Sequence, residues 1–115
     1  MVKTIPNGST PIKNEILIEI FAKGLLTNSE LRIISYIIRW SWGFENKKNN
    51  RRQDWTNPLT IKKIAEDIKM DYTWCSRITK TLIKTNKLFC QNNRYQFNEH
   101  YDQWKVEENS TVEEN

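Results

Sequence analysis

TIKKIAEDIKMDYTWCSRITKTL, residues Thr60 to Leu82, contains two helical periodicities separated by a short break. Ile61, Ile64, Ala65 and Ile68 share one face of a first helix; Met70 follows the break; Cys75, Ile78 and Leu82 share a face of a second. Thr60 and Asp71 stand where each helix needs a cap for its first free amides. Between its anchors the second helix offers Tyr72, Thr73, Trp74, Ser76, Arg77, Thr79 and Lys80. One face packs, and the other carries donors, cations and aromatic rings. That division predicts a helix-turn-helix whose second helix enters a nucleic-acid groove.

The flanking sequence extends this unit. Leu88–Gln91 and Arg94–Phe97 are β-prone segments around Asn92 and Asn93, a pair suited to the positive φ angles of a tight hairpin. Asn86 stands where a left-handed residue should end the preceding helix. Upstream, Asn14 is expected to cap a helix with Ile16, Leu17, Ile20 and Phe21 on its buried side, and Gly24 to end it. Thr27 and Glu30 have capping-box spacing. The helix that follows, Leu31 to about Ser41, carries Leu31, Ile34, Ile37 and Ile38 on one side and closes at Gly43. Residues 44–58 have no periodicity and read as a long loop. Tyr101 and Trp104 should pack the end of the chain against the body. Tyr36, Trp40, Trp42 and Phe44 are assigned, with Tyr101, to the core and its corners. The expected fold is mainly α (α+β): a winged helix-turn-helix of about four helices plus a short C-terminal β-hairpin wing. Residues 1–12 form an extended arm, 13–104 the domain, and 105–115 an acidic disordered tail.

A chain of 115 residues suffices for one such domain. Its net charge of +4 hides an asymmetry: Lys47 through Arg94 hold twelve basic and four acidic residues, a local excess of +8. An excess of this size, overlapping the helix-turn-helix, points to a polyanionic partner. The two cysteines, Cys75 and Cys90, occupy apolar positions and read as reduced core residues. With one histidine and no CxxC there is no metal pattern, and no cofactor is expected. No catalytic constellation is visible, so an enzyme is not expected. Without a signal peptide or an apolar run of about 18 residues, the chain should be cytoplasmic, near the nucleoid of a bacterial host, with no membrane partner.

Several strings together resemble the N-terminal domain of the bacteriophage replication initiators of the protein O family. They are IPN at 5–7, NEILIEIF at 14–21, LTNSELRIISYIIRWSWGFENKK at 26–48, LTIKKIAEDIKMDYTWCSRITKTLIK at 59–84 and RYQFNEHYDQW at 94–104. The Trp42-Gly43-Phe44 corner with Lys47 and Lys48, and the NEHYDQW ending, are the most discriminating parts. This chain departs from the family in a longer loop after Lys48, with Arg51, Arg52 and Trp55, and in a short wing. The resemblance implies binding to repeated double-stranded sequences at a phage origin. It also implies recruitment of the replicative helicase or its loader, through a C-terminal region that the sequence lacks. The chain is thus expected to be either a fragment of a longer initiator or a short member that only binds DNA.

Within the second helix, Arg77 can bond guanine bidentately or grip phosphate; its alternative is a surface pair with a nearby acid such as Asp71. Thr73 and Thr79 can present a methyl to thymine or a hydroxyl to phosphate. Tyr72 and Trp74 either contact DNA or fold over the core. Thr60, Lys62, Lys63, Lys84 and Arg94 are candidates for the phosphate backbone, with Lys47, Lys48, Arg51 and Arg52 as an anchoring arm; their alternative is a solvated surface. A homodimer on DNA is compatible with the sequence. Two other roles suit the same fold: a transcriptional repressor or regulator of a mobile element, and a protein-interaction winged helix.

Overall fold

The computed structural model describes residues 10–46 and 51–105. Its axis is α2 (Asn28–Ser41), whose Ile33, Ile34, Ile37 and Ile38 are all buried. The helix begins at Asn28, three residues before the expected start at Leu31, because Thr27 and Glu30 cap it. The Glu30 backbone N–H donates to Thr27 Oγ1 at 3.2 Å, and Glu30 Oε1 accepts from the Thr27 N–H at 2.9 Å. This reciprocal cap satisfies two amides that the first turn leaves open.

Helix α1 (Asn14–Ile16) runs on as a π-helical stretch, Leu17–Ala22. Lys13 rather than Asn14 is its N-cap, and no side chain caps it. The expected apolar face changes accordingly. Ile16 and Ile20 are buried and Phe21 is half-buried, but Leu17 is 42% exposed. A wider π turn brings the first three together and carries Leu17 to the edge. Gly24 adopts a φ of +72°, the left-handed stop expected of it.

After α2 the chain does not form a plain loop, contrary to the expectation for residues 44–58. Strands β1 (Glu45–Asn46) and β2 (Arg51–Arg52) pair antiparallel, and Gln53 N–H donates to Phe44 O at 2.8 Å. The next segment then lies along the wing. Thr56 N–H reaches Tyr95 O at 2.9 Å, Leu59 N–H reaches Asn93 O at 2.8 Å, and Tyr95 N–H donates to Thr56 Oγ1 at 3.0 Å.

The helix-turn-helix comprises α3 (Ile61–Ile68) and α4 (Tyr72–Lys84). Thr60 Oγ1 accepts from Lys63 N–H at 3.1 Å and Asp71 Oδ2 from Trp74 N–H at 3.0 Å, so both caps form as expected. The turn rests on Lys69, left-handed at φ 56°, a conformation usually left to Gly or Asn. Ile64 and Ala65 of α3, and Cys75 and Leu82 of α4, join the isoleucines of α2. Arg32 of α2 donates to the Ile68 carbonyl and Tyr36 to Asp67, locking α2 to α3. The Tyr36 bond, with Lys63 nearby, holds the Asp67 carboxyl below the usual carboxylate range. A lowered carboxyl stabilises the fold above that range, and the contribution is lost as acid protonates it.

The wing is β3 (Leu88–Gln91) paired antiparallel with β4 (Arg94–Phe97). Asn92 and Asn93 turn between them at φ 54° and 64°, and Asn86 precedes them at 64°. Leu88, Tyr95 and Phe97 face the core; Cys90 is exposed, so only Cys75 is the buried cysteine expected of both. A 3-10 turn, Tyr101–Gln103, ends the described chain. Trp104 packs on the body, and Tyr101 stands edge-on against it with ring centroids 6.5 Å apart. The Trp104 indole lies 6.1 Å from Phe97 and its Nε1–H donates to Asn98 O at 2.9 Å, whereas Tyr101 and Trp40 are exposed. Asn98 is itself buried; its amide donates to Asn86 O at 2.8 Å and its Oδ1 accepts from His100 N–H at 3.1 Å.

These elements are a winged helix, of α+β class, with four helices and a C-terminal two-stranded wing.

Candidate nucleic-acid interface

Helix α4 has one inner and one outer side. Cys75, Thr79 and Leu82 are buried and Ile78 is half-buried against the core. Thr73, Arg77, Lys80 and Lys84 stand exposed at positions i, i+4, i+7 and i+11, a single stripe along the helix. Ser76 is half-buried beside it.

Asp71 is occupied by its cap, and among the described residues no carboxylate pairs with Arg77. Its guanidinium instead lies 5.7 Å from the Trp74 ring centroid. Trp74 leans toward α2, where its Nε1–H donates to Ser29 Oγ at 3.1 Å, yet it stays 43% exposed. Ser29 therefore steadies Trp74, and Trp74 gives Arg77 a platform that limits the conformations of a long side chain. Nothing in the sequence marks Ser29 for this, because its partner lies 45 residues away. Tyr72, 55% exposed at the start of α4, borders a shallow groove with Lys62, Ala65, Glu66 and Met70.

Thr79 corrects the sequence reading. It is fully buried, one turn after Cys75 and facing the core, so it cannot reach a groove. Burial also raises the Cys75 thiol above its ordinary pKa, with the Thr79 hydroxyl and the Arg32 charge acting against that rise. Thr79→Val keeps the shape of the side chain. DNA affinity should stay within about two-fold of wild type, since a surface contact would be worth more. A filter-binding titration checks this, and a clear loss would put Thr79 back at the interface.

The remaining candidates lie on separate elements. The Thr60 hydroxyl is engaged as the α3 cap. Lys62 and Lys63 are exposed on α3, and Lys63 Nζ lies 3.3 Å from Asp67 Oδ1. Arg94 is exposed at the wing, lining a recess of about 290 Å³ with Trp55, Gln91 and Asn92. Arg51 and Arg52 form β2, while Lys47 and Lys48 lie outside the described residues. The 1–12 arm and the acidic tail fall almost wholly outside them too.

No group of His, Cys, Asp or Glu among the described residues could hold a metal ion. None of their helices is long and apolar enough to cross a membrane.

A winged helix whose helix-turn-helix turns a basic, aromatic face outward has the architecture of a DNA-binding module. The model of the bacteriophage replication protein O family matches residues 1–104, so the chain belongs to that family. The resemblance to that family is thereby shown, and membership places the chain in phage DNA replication. No curated protein and no solved structure matches it.

Proposed function

We propose that this domain binds double-stranded DNA sequence-specifically at repeats in a phage or prophage origin, as a step in replication initiation. Helix α4 lies in the major groove. Thr73, Ser76 and Arg77 address base edges, Lys80 and Lys84 grip phosphates, and Tyr72 packs on sugars at the entry end. The wing places Arg94 against the adjacent backbone, and Lys62 and Lys63 reach the strand on the other side. The observation that carries this reading is the exposed stripe from Thr73 to Lys84, with Arg77 stacked on Trp74 and unpaired with any described acid. Family membership supports replication as the setting.

Selection from random duplexes, followed by footprinting on phage DNA, tests the proposal. Enrichment of one motif that recurs in a replication origin is the expected result. Protection confined to promoters would turn the reading into that of a transcriptional regulator, and no enrichment would remove sequence specificity.

Binding should also weaken steeply with salt. With about four to six phosphates neutralised, log K should fall with log salt at a slope near −4 to −5. A flat dependence in titrations from low to physiological salt would contradict backbone contact.

A further inference from the structure

The side of α2 next to α3 carries a second aromatic and cationic surface. Tyr36, Trp40 and Phe44 follow at four-residue spacing and form one row, which continues past the helix end. Ring centroids are 6.1 Å apart for Tyr36 and Trp40, and 5.6 Å for Trp40 and Phe44. The Arg39 guanidinium covers this row, 4.8 Å from the Trp40 centroid and 5.3 Å from that of Phe44. Gly43 makes the arrangement possible. A Cβ there would fall on the Arg39 carbonyl and lie 2.9 Å from the guanidinium.

A corner built only for packing would bury its largest ring, but Trp40 is 37% exposed and Arg39 is exposed beside it. At one end of the row Tyr36 donates to Asp67, which pairs with the exposed Lys63.

A partly open aromatic ring such as Trp40, with a guanidinium beside it, stacks an unpaired base while the cation holds the phosphate. A duplex keeps its base faces hidden and cannot use such a row. An apolar protein partner would have to bury the Arg39 charge without a counter-ion, whereas a nucleic-acid strand brings its own anions. We propose that the Tyr36–Trp40–Phe44 row with Arg39 is a binding surface for single-stranded DNA, distinct from α4. The choice of DNA rests on family membership; the site itself does not depend on the role of Arg77.

The test is anisotropy of a fluorescent oligothymidylate of about 20 nucleotides, beside a duplex carrying the selected site. Trp40→Ala and Arg39→Ala should each weaken oligothymidylate binding by about five-fold or more and leave duplex affinity within about two-fold. Trp40→Phe keeps a ring and should retain most of the single-strand affinity, and its melting curve guards against a folding artefact. Arg77→Ala should do the converse, losing duplex and keeping oligothymidylate. The proposal is overturned if the wild type does not bind oligothymidylate, if neither Trp40→Ala nor Arg39→Ala weakens it, or if single-strand and duplex binding fall together. The first two outcomes leave the α4 reading intact, and an inert Arg77→Ala would leave this one intact.

Discussion

Arg77→Ala should cut affinity for the selected duplex by about five- to 150-fold, the worth of one good bidentate contact to a base. Affinity for random duplex should fall much less. The specificity ratio, measured by competition at one fixed salt concentration, is therefore the quantity to follow. Folding should change by no more than about 0.5 kcal/mol, since Arg77 is exposed and its described contact is with the Trp74 ring. Lys80→Ala should behave differently, weakening all sequences alike and lowering the salt slope by about one. Equal losses on specific and random DNA would make Arg77 a phosphate grip. No loss from either variant would mean that α4 does not face DNA.

Glu30→Ala should be the most destabilising of these changes, at about 3–5 kcal/mol, because it leaves a buried charge without its partner. Glu30 Oε2 lies 3.3 Å from Lys87 Nζ, with side-chain exposures of 8% for Glu30 and 17% for Lys87. The same carboxylate accepts the Thr27 N–H, and the Lys87 ammonium sits 5.5 Å from the Trp104 ring centroid. The Glu30–Lys87 pair thus joins the start of α2 to the start of the wing and to Trp104. A loss of 3 kcal/mol would lower Tm by roughly 12–24 °C in a domain of this size. Urea unfolding separates the contributions. Thr27→Ala should cost about 1 kcal/mol for its share of the cap, and Lys87→Met added to Glu30→Ala should recover much of the loss. If Glu30→Ala costs less than about 1 kcal/mol, the pair is solvated in practice and the wing is held by apolar packing alone.

Much of this fold was legible because its signals are local. A cap needs its oxygen within three residues of the amide it satisfies, so Thr27 with Glu30, Thr60 and Asp71 could all be read directly. Gly24, Asn86, Asn92 and Asn93 announce positive φ through their own side chains, or through having none. Lys69 adopts the same conformation without announcing it. There the turn is imposed by Met70, buried between the two helices, and the amides of both residues close back on α3.

The candidate site was legible as a helix but not as a surface. Residue type is a poor guide where a side chain suits either environment. The hydroxyl of Thr79 suits a surface, yet Thr79 is buried; the size of Trp40, Tyr101 and Leu17 suits a core, yet they are exposed. Each outcome depends on what covers the position, and the covering residues lie on other elements.

Periodicity, capping chemistry and turn residues in the sequence by themselves determined four helices, a helix-turn-helix and a wing, because hydrogen bonds within a few residues decide those elements. Tertiary structure alone decided that Ser29 steadies Trp74 under Arg77, that Thr56 bonds to β4 and Leu59 to the turn before it, and that Arg39 lies over Trp40 beside Gly43. Most of these contacts join residues far apart in the chain, and the Arg39 arrangement depends on how the corner at Gly43 folds. They form only once the buried isoleucines of α2 have set the helices and the wing around them.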